Sequence, residues 1–196
     1  MRCRINQHLC FCSSLVPQNI KTPIQILMHY REINLTSNTS HLMGLIHSDC
    51  HIFHRGHKEE TLDYVDILKE KTHTPLFLFP DEAAVTLTPS FISSLTKPIN
   101  LIVPDGSWRQ AKKFKKRIPE LAHIQSITIP KTTSSNYILR SAANSEMLST
   151  FEAMARVLGI LESKMLQSDL EKMFEIMVER VLISRRGRNL KDPSMY

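Results

Sequence analysis

An aspartate, a glycine, a hydroxyl and the chain's one tryptophan stand in a row at Asp105, Gly106, Ser107 and Trp108. They follow the apolar run "INLIVP" (99–104) and precede a stretch dense with lysine and arginine. A carboxylate at the end of an apolar strand can accept or aim a proton, and an indole beside it offers a flat surface to a base or a cofactor ring. Spacing alone also suits a plain strand-to-helix turn, with Gly106 supplying a backbone angle that other residues avoid and Ser107 capping the helix. The stretch after the turn is one-sided. At 3.6 residues per turn, Trp108, Ala111 and Ile118 fall near one face. Arg109, Lys112, Lys113, Lys116 and Arg117 fall mostly on the other, and Lys115 projects toward the apolar edge. Almost nothing acidic interrupts this face before Glu120, so i,i+4 pairing does not account for it. A solvated basic face is one explanation, and a phosphate backbone held beside a reacting base is the other.

Three cysteines open the chain, Cys3, Cys10 and Cys12, in the spacing C-x6-C-x-C. A structural zinc site needs four ligands and this run supplies three, the fourth being Cys50, a histidine such as His8, or nothing. Thiols that bind no metal fit the same spacing. The stretch "HSDCHIFHRGH", with His47, Cys50, His51, His54 and His57, matches no established ligand spacing. Further on, Ser149-x-x-Glu152 is a capping box, and the surrounding stretch (138–153) offers amides and hydroxyls to a carboxylate-bearing ligand. The capping role alone also explains Ser149 and Glu152. The five glycines, at 44, 56, 106, 159 and 187, are too scattered to build a dinucleotide-binding or ATP-binding glycine loop.

The elements that must position these residues are read from periodicity. "TPIQILMHY" (22–30) reads as a buried strand ending at His29, and "TPLFLFP" (74–80), "INLIVP" (99–104), "SITIP" (126–130) and "NYILR" (136–140) read as further strands. "NTSHLMGLIH" (38–47) reads as a helix with Asn38 as a possible N-cap, and "ETLDYVDILKE" (60–70) as a helix with Leu62, Val65 and Leu68 on one face. Two helices close the chain, 149–164 and 169–182, the second carrying Leu170, Met173, Phe174, Met177 and Val181 on one stripe. Strands apolar throughout, separated by helices, predict an α/β domain with a mainly parallel sheet flanked by helices. Ligands bind such sheets beyond the carboxyl ends of the strands, where His29, Pro80-Asp81 and Pro104-Asp105 fall. The chain's 196 residues suffice for one domain, with 42% hydrophobic and 22% charged residues and a net charge of +6. That charge is consistent with a polyanionic partner. No run reaches the ~18–20 apolar residues of a membrane helix, and "MRCRINQHLCFCSSLVP" carries no continuous apolar signal core, so the cytoplasm is the expected compartment.

Taken in order, these motifs resemble the DTW domain of tRNA-uridine aminocarboxypropyltransferases, a family similar to the SPOUT superfamily. The resemblance covers about residues 3–185. It begins with the cysteine cluster ending in Cys10-Phe11-Cys12 and continues with His29, Glu32, Asn38 and Thr39, then with Leu78-Phe79-Pro80. The signature helix is matched by Asp105, Gly106, Trp108 and Ala111, and the closing segment by Arg140-Ser141 and Leu148 to Ala153. Ser107 stands where the family has threonine, and the family often carries another cysteine three residues before the position of Cys3.

The resemblance implies a catalytic domain over 23–186, between a Cys-rich segment (1–22) and a tail (187–196), with a SPOUT-like C-terminal knot. It implies transfer of the 3-amino-3-carboxypropyl group of S-adenosylmethionine to N3 of a tRNA uridine, in the variable loop for compact members, leaving methylthioadenosine. It places the cofactor among Phe79, Pro80 and Asp81, then Asp105, Gly106, Ser107 and Trp108, then Arg140, Ser141, Leu148, Ser149, Thr150 and Glu152. Asp105 takes the catalytic role, as a base or as a group that orients N3–H. The RNA surface comprises His29, Arg31, Lys112, Lys113, Lys116 and Arg117, and Cys3, Cys10 and Cys12 would hold zinc. A SPOUT-type RNA methyltransferase, a non-catalytic RNA-binding module and a zinc-dependent regulator are the alternatives.

Overall fold

The structure is a computed structural model and describes residues 3–56, 62–130 and 148–185. In chain order the elements are β1 (Ile24–His29), α1 (Met43–Ile46), β2 (Cys50–Arg55), α2 (Tyr64–Leu68), β3 (Thr74–Leu78) and β4 (Val85–Thr86). They continue with α3 (Pro89–Ser93), β5 (Ile99–Asp105), α4 (Trp108–Arg117), β6 (Gln125–Thr128), α5 (Thr150–Leu161) and α6 (Lys164–Arg185). The six strands form one sheet in the order β2-β1-β5-β3-β6-β4, and every pairing is parallel. The expected α/β architecture is therefore present. Because all strands run the same way, their carboxyl ends share one edge of the sheet. Met28 pairs with Asp105 across that edge, and His29 with Arg55.

Alternation along the central strands sends side chains to two buried layers. Ile24, Ile26 and Met28, with Leu101 and Val103, face a core built with α5, α6 and the N-terminal segment. Leu27, Phe77 and Ile102 face the opposite core, with Tyr64 and Ile67 of α2 and Ala111 and Phe114 of α4. Between the layers, the buried Asn100 ties sheet to helix. Its Nδ2 donates to the carbonyls of Ile67 (2.8 Å) and Leu68 (2.9 Å), satisfying the open end of α2.

Several elements differ from the periodicity reading. Among the described residues of 60–70, helix covers Tyr64–Leu68, and Val65 is 70% exposed while Tyr64 and Ile67 are buried. Asp63 is the cap, accepting from the Val65 amide, and it sets a phase in which Val65 faces solvent. The 38–47 stretch splits into a 3₁₀ turn (Ser40–Leu42) and α1. The His- and Cys-rich stretch is largely an edge strand, β2, whose alternation is masked by histidines. β5 passes Pro104 and ends on Asp105. Residues 136–140, and the segment 131–147 in which a knotted crossing between β6 and α5 would fall, lie outside the described residues.

α5 and α6 form an antiparallel pair, with Phe151 stacked on Phe174 at 5.5 Å. At their tight end, a Cβ on Gly159 would stand 2.8 Å from Gln167 Cβ. Replacing a mid-helix glycine by alanine ordinarily stabilises by roughly 0.5–1 kcal/mol, but overpacking of this kind costs about 1–3 kcal/mol. The collision is with a Cβ, which no rotamer change relieves. Gly159→Ala is therefore expected to lower the urea midpoint, with a net loss on the order of 1 kcal/mol, although helix propensity alone predicts a rise.

Candidate active site

Asp105 is 4% exposed at the end of the central strand β5. A buried carboxylate needs donors, and three converge on it. Asn38 Nδ2 (2.6 Å) and Ser40 Oγ (2.9 Å) donate to Oδ2, and Thr150 Oγ1 donates to Oδ1 (2.6 Å). The first two come from the loop after β1, the third from the first turn of α5. Those segments also meet each other, since the Phe151 amide donates to Thr39 Oγ1 at 3.4 Å. Asp105 thus ties together two segments that lie 45 and 67 residues from it in sequence. An ionised carboxylate has about four acceptor positions. Among the described residues three are filled by these side chains, and the fourth, on Oδ1, has no donor.

The turn after Asp105 is a capping box. Ser107 Oγ accepts from the Gln110 amide, and Gln110 Oε1 accepts from the Ser107 amide at 2.7 Å. Gly106 does not adopt a left-handed backbone angle, so the expected reason for a glycine there is corrected. Space requires it: an added Cβ would stand 3.0 Å from Gln110 Oε1 and 3.4 Å from His29 Cβ. Gln110 Nε2 also reaches His29 Nδ1 at 3.2 Å, as does the Arg31 amide at 3.3 Å. Two donors on Nδ1 put the proton of a neutral ring on Nε2, and burial, with Arg31 nearby, holds the His29 pKa down. On the other side of the turn, Trp108 is 39% exposed and packs at 5.3 Å from Phe79, leaving part of the indole open.

The remaining predicted residues divide. Ser149 and Glu152 form the expected capping box, and both are buried. The amides of Phe151 and Glu152 are thereby already bonded within the protein. Leu148 is described beside them, whereas Arg140 and Ser141 lie outside the described residues. Asp81 follows Phe79 and Pro80 but turns its carboxylate to Ser126 Oγ, to Lys115 Nζ (3.6 Å) and to the Ala83 amide (3.0 Å). Its side chain pins the loop after β3 to β6. Lys112, Lys116 and Arg117 are exposed along α4 and Lys113 is half-buried. Arg117 lies roughly 14 Å along the helix from Trp108, and Arg31 is exposed over the Tyr30 ring at 5.6 Å. Motif reading does not assign Ser40 or Gln110 to the site, and takes Asn38 as a helix cap and a position of the family resemblance without a role. Their only signal is that a polar residue buried beside a carboxylate needs a reason, and burial is visible only in the fold.

The thiols of Cys3, Cys10 and Cys12 lie within 4.8 Å of one another, with Cys3 Sγ and Cys10 Sγ 3.6 Å apart. Two corners of a zinc–thiolate tetrahedron stand about 3.8 Å apart for Zn–S bonds of 2.3 Å, so the residues present fit three corners of such a site. Among the described residues no His, Cys, Asp or Glu completes the group. Cys50 sits apart in β2, with burial, and Asp49 beside it, pushing its thiol pKa up to about 12.

A wholly parallel α/β sheet with a clasped carboxylate at its carboxyl edge is the architecture of a ligand-binding domain of the doubly wound kind. The chain belongs to the DTW domain family, whose model matches residues 1–182. Three relatives share the name tRNA-uridine aminocarboxypropyltransferase 2. That of Macaca fascicularis is 30% identical over 82% of this chain and 55% of its own length. That of Drosophila melanogaster is 26% identical over 83% and 66%, and that of Mus musculus 27% over 82% and 55%. The chain thus spans between about half and two thirds of the relatives it matches. No solved structure matches it significantly.

The serine at the cap is a local departure with a local test. Ser107→Ala removes the cap acceptor and is expected to cost about 1 kcal/mol of stability. Ser107→Thr keeps the oxygen and is expected to leave the melting temperature unchanged within a degree or two, in the same thermal scan.

Proposed function

We propose that this chain transfers the 3-amino-3-carboxypropyl group of S-adenosylmethionine to N3 of a uridine in tRNA, in the variable loop, releasing methylthioadenosine. The observation that carries this reading is the acceptor position left open, among the described residues, on a carboxylate whose other positions are filled from two distant segments. The relatives' printed names supply the reaction and substrate class.

Each group then has a physical task. The sulfonium carries three carbons open to attack, so selectivity must come from presenting the amino-acid arm's methylene in line with N3. The open face of Trp108, backed by Phe79, gives one aromatic ring a place to stack. Pro80 and Asp81 shape the loop beside it, and Leu148, Ser149, Thr150 and Glu152 shape the opposite wall. Oδ1 of Asp105 accepts N3–H. As the N3–C bond forms, the C–S bond breaks, its electron pair returns to sulfur, and the N3 proton passes to Asp105 and then to water. Lys112, Lys113, Lys116 and Arg117, with Arg31 and His29 at the neighbouring strand end, hold backbone phosphates. Bound by Cys3, Cys10 and Cys12, zinc would staple the N-terminal segment, away from the transfer step.

Mass spectrometry of tRNA nucleosides after incubation with S-adenosylmethionine tests the reaction. A uridine heavier by one aminocarboxypropyl group is expected, with methylthioadenosine as co-product, and tRNA fragments locate the nucleotide. S-adenosylhomocysteine with a methylated base would instead make the chain a methyltransferase. Asp105→Asn keeps the shape but turns an N–H toward at least one existing donor. It is expected to lower kcat by roughly 10²–10⁴-fold, and a folded variant at wild-type rate would remove Asp105 from the chemistry. Replacing Lys112, Lys113, Lys116 and Arg117 together by alanine should weaken tRNA binding and reduce the slope of log K against log salt by about 3. An unchanged slope would put the RNA surface elsewhere.

A further inference from the structure

Asn38 can serve Asp105 only if its amide points one way, and that depends on where its main chain holds the side chain relative to the His41 backbone amide. The Asn38 side-chain oxygen accepts from the His41 backbone amide at 3.2 Å. The Asn38 backbone carbonyl meets His41 Nδ1 at 2.5 Å. A carbonyl only accepts, so the ring proton must sit on Nδ1. The ring is 3% exposed, and its Nε2 makes no close hydrogen bond among the described residues. Arg4 and Asp105 are the charged groups that act on it, and the Cys3 carbonyl faces it from the N-terminal segment. The His41 ring therefore holds the Asn38 main-chain carbonyl, which sets Asn38 where its side-chain oxygen meets the His41 backbone amide. With Oδ1 engaged by an N–H, the remaining Asn38 Nδ2 must face Asp105 Oδ2, as found. Ser40 lies between the two, its hydroxyl 2.9 Å from both Asn38 Oδ1 and Asp105 Oδ2. Because a hydroxyl has one proton, the His41 amide on Asn38 Oδ1 frees Ser40 to donate to Asp105.

We propose that His41 is a positioning residue for the transfer reaction: it locks Asn38 and Ser40 onto Asp105 Oδ2, and so fixes the direction of the acceptor left open on Oδ1. This rests on the reaction proposed above. The His41 side chain touches no substrate and gives up no proton. Its action is to keep one carboxylate oxygen occupied and the other aimed, and misplacement by about 1 Å can cost a factor of 10².

The test compares His41→Asn, His41→Gln and His41→Leu in the full chain. An asparagine amide nitrogen falls where Nδ1 stood, whereas a glutamine nitrogen falls nearer Nε2. His41→Asn is expected to keep kcat within about threefold of wild type, and His41→Gln and His41→Leu to lose roughly 10–100-fold. S-adenosylmethionine affinity, by calorimetry, should change less than threefold in all three. Adding His41→Leu to an Asn38→Ala chain should cost nothing further, since the effect runs through Asn38. Full kcat in His41→Leu, or an Asn variant as slow as the Leu variant, overturns the proposal. If the variants do not fold, the wild-type ring still reads out by ¹⁵N NMR: an Nδ1–H tautomer supports it and an Nε2–H tautomer overturns it. A wild-type chain that modifies no tRNA refutes the reaction itself, a result distinct from any difference among the His41 variants.

Discussion

A buried carboxylate is the constraint around which this site is built. Leaving one polar group unpaired in an interior costs about 1–3 kcal/mol, and more when it is charged. Asp105 is placed in the interior by β5, which lies between β1 and β3 in the sheet. Its donors cannot come from its own neighbourhood in sequence, because the next residues are committed to starting α4. They must come from whatever the fold brings to that edge: the loop leaving β1 and the first turn of α5. Asn38, Ser40 and Thr150 are those residues. The site and the closure of the domain are therefore one set of hydrogen bonds.

That explains what could be read in advance. Strands β1, β3, β5 and β6, helix α4 and the two helices α5 and α6 are legible because burial writes a period of 2 or 3.6 into apolar residues, and Ser107 and Ser149 announce helix starts through local chemistry. Asp105 and Trp108 are legible by position, at the end of a buried strand. Asn38 reads as a helix cap and a family-matching position and Ser40 carries no signal, since their partner is more than 60 residues away and leaves no local pattern. Val65 was misplaced because a helix of five residues takes its phase from its cap, not from periodicity. Gly106 was recognised as special, but the reason lies in Gln110 and His29, side chains that approach it only after folding.

The basic helix shows two effects at once. Lys115, Lys116 and Arg117 occupy the last turn of α4, where positive charge is favourable beside the exposed carbonyls. That accounts for basic residues there without any ligand, and Lys115 is further tied to Ser126 and Asp81. Lys112 and Lys113 stand earlier in the helix and receive no comparable benefit. Lys112 is exposed and Lys113 half-buried on a helix whose first residue is the half-open Trp108. Charge on those residues, more than on the last turn, argues for an external anion.

The N-terminal segment completes the enclosure. Arg4 has a left-handed backbone angle, φ 60°, which a non-glycine residue holds only where surroundings compel it. It follows Cys3 directly, and its guanidinium donates to the Ile33 carbonyl at 2.6 Å. The loop that carries Asn38 and Ser40 is thus held at Ile33 by the residue after Cys3, and His41 lies against the Cys3 carbonyl. Whatever fixes the three thiols fixes Arg4, and with it the approach of that loop to Asp105. The cysteine cluster touches no reacting atom, yet it shares one continuous framework with the carboxylate. This gives a physical reason for a cysteine-rich lead-in to belong to the same folded unit as the sheet.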